Sequence, residues 1–398
     1  MAHGGRVWEA ARSLGVDPAQ ILDFSANLNP LGPPPGVMAL LRDHLRDVAH
    51  YPEPRGGTLK RELARHLDVS PNSLMVGNGA AELIYCFCRA TSPRRALIPA
   101  PSFGEYARGV RAYGGEVCHL PLDAPGFRLP GDRLAAALRT GQYDLVILGN
   151  PNNPTGTLTR PDELAPILEA AARTGTWLLL DESFLGFLPR PEPLSLRRLA
   201  ASSDGTRARL AVVDSFTKLY CLPGLRLGYL TGPTALINRM EETRDPWSVN
   251  VLAQVAGIGC LGEREYVART RRLLPGLREA LTRALSTIPG LNVFPSAANF
   301  LLLHTGPPSI PAPPGTRGGV AARLARRLIL VRDCSDFPGL EAGGYIRVAV
   351  RLPDENDRLV RALREVLAHE QEGVAGREVL AHEQEGVADG QEVLARER

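Results

Sequence analysis

SFTKLYCLPGLRLG, residues 215–228, holds the residue on which the fold reading turns. Of the 46 lysines and arginines in the chain only two, Lys60 and Lys218, are lysine. Arginine stands almost everywhere else that a cation is wanted. A guanidinium keeps its proton at ordinary pH. A desolvated lysine amine can lose its proton and attack a carbonyl carbon to form an imine. Lys60, in TLKRELARHL, reads as a helix-face residue, and Lys218 alone could be a second chance survivor. Its surroundings have to decide.

Around this stretch, from about residue 73, short apolar runs alternate with amphipathic ones. SLMVGNG precedes AAELIYCFCRA, and RALIPAP precedes SFGEYARGVRAYG. EVCHLPL, YDLVILGNPNNPTG, TWLLLDES, LAVVDSFTK and LRLGYLTG follow. Several runs are apolar without strict alternation, as in strands covered on both faces. Alternation with helices predicts an α/β fold with a mostly parallel sheet. The polar residues after these strands lie where open α/β sheets place ligands.

Further out, residues 1–35 read as an N-terminal arm. It has a short helix in HGGRVWEAARSLG and an extended, proline-rich connection in FSANLNPLGPPPG. A helix is expected from Thr58, as N-cap. The large domain is then 36–240. Residues 241–370 read as a smaller α+β domain: a helical segment over 249–285, a strand pair in LNVFPSAANFLLL, a Pro/Gly loop at 306–319, the helix GVAARLARRL, and the strands ILVRD and YIRVAVR. REVLAHEQEGVA occurs at 364–375 and again at 377–388. The duplicated tail, 371–398, is glycine-spaced and poor in apolar residues, and is expected to be disordered.

The 398 residues carry a net charge of +3, with acids interspersed among the arginines, so no block reads as a nucleic-acid footprint. No apolar run approaches membrane-spanning length and no signal-peptide pattern opens the chain. The six cysteines include no C-x-x-C. They read as reduced thiols of a cytoplasmic protein, with no metal site.

Four strand-end motifs supply chemistry. GNGAAE (77–82) puts glycines before a helix whose free N–H groups would bind phosphate, although an ordinary strand-to-helix turn looks the same. NPNNPTG (150–156) can present an amide rigidly. In LLLDES, Asp181 ends an apolar strand and needs a donor or cationic partner. Ser215 and Arg226 suit a phosphate. Pyridoxal phosphate would use every part: an aldehyde for lysine, a ring nitrogen for a carboxylate, a phenolic oxygen for an amide and a phosphate for the helix end.

NPNNPTG, LLLDES, SFTK and GLRLGY, in this order and spacing, resemble the fold-type I aminotransferase superfamily over about residues 20–365. The resemblance implies a large domain with a helix-sandwiched, mostly parallel sheet and a smaller C-terminal domain. It implies Lys218 as the Schiff-base lysine, Asp181 on the pyridine nitrogen and Asn153 on the phenolic oxygen. Gly79, Ala80, Ser215 and Arg226 would hold the phosphate, with Phe103 stacked on the ring. Tyr51 in HYPEP would reach the phosphate from a partner subunit, implying a homodimer with shared sites. Many relatives carry Asp-Glu-x-Tyr, where this chain has Phe184, so its cofactor electronics are expected to differ.

Arg332 and Arg347 resemble the C-terminal-domain arginines that bind acidic substrate groups, and Asn27 stands where relatives use an asparagine on substrate. HGGRVWEAARSLG followed by ILDFSANLNPLGPP resembles the opening of the superfamily's decarboxylases of phosphorylated amino acids. His3, Gly4 and Gly5 would then clamp a substrate phosphate. The same residues could instead form an arm that packs on the partner. Decarboxylation is the expected reaction. Transamination with 2-oxoglutarate and a non-catalytic cofactor-binding protein are the alternatives.

Overall fold

The structure is a computed structural model that describes residues 4–202, 209–306 and 319–368. His3, the duplicated tail and nearly all of the Pro/Gly loop lie outside the described residues.

Seven strands form one sheet in the order Leu74–Gly77, Gly228–Thr231, Leu210–Ser215, Trp177–Asp181, Leu145–Gly149, Arg95–Ala100, Glu116–Pro121. All run parallel except Gly228–Thr231, which is antiparallel to both its neighbours. The continuous apolar runs follow from this placement. In the strand Leu145–Gly149, Leu145 and Ile147 enter the core beneath the helices Gly79–Thr91, Gly104–Ala112 and Thr234–Glu242. Val146 and Leu148 enter the opposite core, beneath Gly131–Arg139 and Pro161–Thr174. With both pleat faces dry, every position must be apolar.

A second, antiparallel sheet is ordered Arg332–Asp333, Tyr345–Ala349, Phe300–His304, Asn292–Val293. The seam differs from a 35/36 and 240/241 division. Leu22–Asp23 pairs in parallel with Ile329–Leu330, and the Ala349 N–H donates to the Phe24 carbonyl at 2.8 Å. Phe24 is buried in the small-domain core, so the arm is part of that domain. The helical segment over 249–285 is two helices, Val251–Gly262 and Arg264–Ser286. The first buries Ala253, Ala256 and Cys260 against Val37, Leu59 and Leu63 of the large domain. The helix expected from Thr58 is Gly57–Leu67, with Gly56 as N-cap and Thr58 in its first turn. Glu53 accepts the Thr58 N–H at 2.7 Å and does the capping that Thr58 was expected to do. All six cysteines are free thiols. No helix among the described residues is long and apolar enough to cross a membrane.

Candidate active site

A cavity of about 440 Å3 opens beside the C-terminal ends of the parallel strands, within the range of small-molecule sites. Lys218 lines it from the four-residue helix Phe216–Leu219, immediately after the strand Leu210–Ser215. Ser215 caps that helix, accepting the Thr217 N–H at 3.1 Å, and the Asn29 N–H donates to the Lys218 carbonyl at 3.1 Å. Burial, with the charges of Arg347 and Arg226 nearby, pushes the Lys218 amine down to about 8. An amine that titrates there has a neutral fraction at physiological pH that an ordinary lysine lacks.

Asp181 ends its strand inside the same cavity. Its carboxylate accepts the Tyr106 hydroxyl at 2.8 Å and the Ser183 N–H at 2.9 Å. Burial raises its carboxyl pKa, and the bonds from Ser183 and Tyr106 and the charge of Lys218 oppose that rise. Asn153 stands in the loop after the strand Leu145–Gly149. Its Oδ1 accepts from Arg347 Nη1, while Arg347 Nη2 donates to the Ser25 carbonyl at 2.7 Å.

The helix Gly79–Thr91 starts without a side-chain cap, and Ala80 and Ala81 line the cavity. Its first N–H groups are therefore open to an anion. Two glycines make the fit possible. A Cβ on Gly79, whose φ is +80°, would stand 2.7 Å from Arg226 Nη2, and one on Gly228 would stand 2.7 Å from the Ala80 nitrogen. Arg226 is in no ion pair among the described residues.

These residues fit pyridoxal phosphate. The Asn153 NH2 donates to no group among the described residues and is free for an oxygen. The uncapped helix end with Ser215 and Arg226 offers donors that a phosphate could use. Lys218 and Asp181 share one cavity. Phe103 lines it too, edge-on to Tyr106 with ring centroids 5.5 Å apart. Phe184 is buried edge-on against Phe300, at 4.9 Å, and lines the cavity as an apolar wall between the domains.

On the other side of the cavity stand Arg332, Arg347, Asn27 and Gly4. The Oδ1 of buried Asn27 has no hydrogen-bond partner among the described residues. Gly5 donates its N–H to Ser25 Oγ at 2.8 Å, and a Cβ on Gly4 would lie 2.0 Å from the Ser25 carbonyl oxygen. The arm therefore rests on the residue that holds Arg347. Tyr51 does not line its own chain's cavity. It is 84% exposed and packs on Trp247, centroid to centroid 5.3 Å. Sequence reasoning missed Tyr106, Thr217, Ser183 and Asp336. Tyr106 lay within the quoted SFGEYARGVRAYG, three residues after Phe103, but nothing in that stretch tells that its hydroxyl reaches Asp181.

A larger opening, of about 800 Å3, is also lined by Ser183 and Ser215, but not by Lys218 or Asp181. It adjoins the part-buried Arg197, which lies 3.5 Å from Glu182 and 3.7 Å from Asp214. It is a groove behind the site.

Residues 19–363 match the family model of aminotransferase class I and II, and the chain belongs to that family, whose cofactor here is pyridoxal phosphate. Within it, the chain is 38% identical over 368 residues to a threonine-phosphate decarboxylase of Salmonella typhimurium, covering 92% of this chain and 96% of that one. A histidinol-phosphate aminotransferase of Pseudomonas aeruginosa is 32% identical over 370 residues, with 92% and 95% covered. Among solved structures, an L-threonine-O-3-phosphate decarboxylase from Porphyromonas gingivalis superposes with a TM-score of 0.74 at 29% identity, covering 87% of this chain and all of that one.

Proposed function

We propose that this chain is a pyridoxal phosphate-dependent decarboxylase that converts L-threonine-O-3-phosphate to (R)-1-aminopropan-2-yl phosphate and CO2, a step of cobalamin biosynthesis. The observation that carries the reading is the N-terminal glycine pair. It seats against Ser25 at the edge of the cavity that holds Lys218, Arg347 and Asn27, beside a resemblance greatest to a threonine-phosphate decarboxylase among the relatives above.

When bound, the cofactor supplies a conjugated ring that takes up the electron pair left as CO2 departs. Lys218, whose amine titrates near 8, would attach the cofactor through its neutral form and, released as an ammonium that has taken the proton of the incoming substrate amine, would stand ready to return a proton to Cα. Asp181, fixed by Tyr106 and Ser183, keeps the ring nitrogen protonated. The Asn153 NH2 would donate to the phenolic oxygen, Phe103 would cover the ring, and Gly79, Ala80, Ser215 and Arg226 would hold the phosphate. Exposed Tyr51 reaches the phosphate in the partner's site, which makes the working unit a homodimer in the cytoplasm. Arg347 and Arg332 take the acidic groups of the substrate, with Asn27 and the glycine pair Gly4 and Gly5 beside them.

The test is CO2 release from L-threonine-O-3-phosphate and added pyridoxal phosphate with no keto acid. Multiple turnovers are expected. No CO2, with glutamate formed from histidinol phosphate and 2-oxoglutarate in a parallel assay, would replace this reading by transamination.

A further inference from the structure

Arg332 and Arg347 are register partners on adjacent antiparallel strands. Like charges placed directly opposite repel, and the two cations are compensated differently. Arg347 gives its Nη groups to neutral acceptors, Asn153 Oδ1 and the Ser25 carbonyl, and its Nε has no hydrogen-bond partner among the described residues. Arg332 instead holds the Asp336 carboxylate at 2.6 Å through Nη2. Among the described residues, Asp336 is the one carboxylate in an ion pair with either arginine.

The contacts of Arg332 divide into fixed and exchangeable ones. Nη1 donates to the carbonyl of Asp333, its neighbour in the strand, and the guanidinium lies 4.8 Å from the Phe337 ring centroid. The Arg332 side chain is only 9% exposed, whereas that of Asp336 is 29% exposed. The cation is anchored, and the carboxylate has water to turn into. The pair Arg108–Glu105 on the same cavity is built the other way, with the carboxylate 10% and the arginine 50% exposed. Releasing that carboxylate would strand a buried charge.

We propose that Asp336 is a resident counter-anion of Arg332, displaced when an acidic group of the substrate binds, and that it thereby sets how tightly doubly acidic amino acids are held. The substrate class rests on the function proposed above; the exchange itself does not. A phosphate brings up to two charges and three acceptor oxygens against the single charge of Asp336, so it wins the exchange. An amino acid with one acidic group satisfies Arg347 and gains nothing at Arg332. Asp336 acts here as a specificity-determining residue.

The experiment titrates the holoenzyme with L-threonine-O-3-phosphate and with L-threonine, following the visible absorbance of the cofactor, for the wild type and Asp336→Asn. The asparagine keeps the shape and removes the charge. The Kd and KM for the phosphorylated ligand are expected to fall about fivefold, the scale of a part-exposed ion pair. The Kd of L-threonine should change less, and Asp336→Glu should restore wild-type values. Asp336→Ser, expected to behave as the asparagine variant does, covers a failure of that variant to fold. A rise in Kd in Asp336→Asn would overturn the proposal, because Asp336 would then be holding Arg332 in place. An unchanged Kd in a folded variant would overturn it as well. The titration reads binding and not bond cleavage, so absence of CO2 would sink the decarboxylase reading alone. CO2 release with Kd shifted the wrong way would sink the exchange alone.

Discussion

On the large sheet, Asp181 and Ser215 end parallel strands and the Asn150–Gly156 loop follows a third, each next to backbone already tied into the ladder. On the small sheet, Arg332 and Arg347 face each other across an antiparallel pair and depend on groups outside the ladder: the Asp336 carboxylate for one, the Asn153 side chain and the Ser25 carbonyl for the other. The first arrangement is rigid because the secondary structure is rigid. The second has slack, because one of its contacts is a half-exposed carboxylate. A site that grips a permanent cofactor needs the former, and one that admits and releases a substrate can use the latter.

The largest effect should come from Lys218→Arg, which keeps a cation and removes the amine. CO2 release should fall by about 10^3-fold, on the scale of losing both covalent attachment and a positioned acid. A rate within tenfold of wild type would remove Lys218 from the chemistry and dissolve the contrast between the two sheets.

Arg347→Met probes the other side. Truncating a buried cation that holds two acceptors should raise KM about 100-fold, or ~3 kcal/mol. Affinity for the cofactor should move far less, and fluorescence titration checks that split.

Gly79→Ala should do the reverse. Its Cβ would crowd Arg226 and its φ of +80° disfavours an L side chain, a strain of about 1–3 kcal/mol. Cofactor Kd should rise at least tenfold while KM, measured at saturating cofactor, stays within twofold.

The smallest effect couples the halves. Lys218 titrates near 8, lowered first by burial and then by Arg347. The neutral amine is the reactive form, so the rate of cofactor capture by the apoprotein should rise with pH through about 8. In Arg347→Met one neighbouring positive charge is gone, so the amine pKa rises and the profile should shift to higher pH. Stopped-flow absorbance over pH 6.5–9.5 reads both curves. A shift to lower pH would break the electrostatic link.

That Lys218, Asp181 and Asn153 converge on one cavity was legible in the sequence, because each sits at a fixed offset from a strand end. LLLDES, NPNNPTG and SFTK could be read without knowing how the strands are ordered. Arg332 and Arg347 were legible only through resemblance, and their register pairing was not legible at all, since no local pattern tells which residues of ILVRD and YIRVAVR face each other. Asp336 escaped for the same reason. Its role depends on one guanidinium, and a lone aspartate in a loop reads as surface. The pairing of Leu22–Asp23 was not legible either, because its partner lies far along the chain, where composition gives no hint of a two-residue strand.

That two-residue pairing bears on how the chain is made. Leu22 must wait for Ile329, about 300 residues later, before its ladder can close. At bacterial-to-eukaryotic elongation speeds the wait is roughly 15–60 s. The large sheet, whose strands lie between residues 74 and 231, can assemble in that interval while the apolar Phe24 has no core to enter. Newly synthesised chains should therefore pass through a period with a finished cofactor platform and an unsheltered N-terminal segment, which makes that segment the natural place for a chaperone to bind.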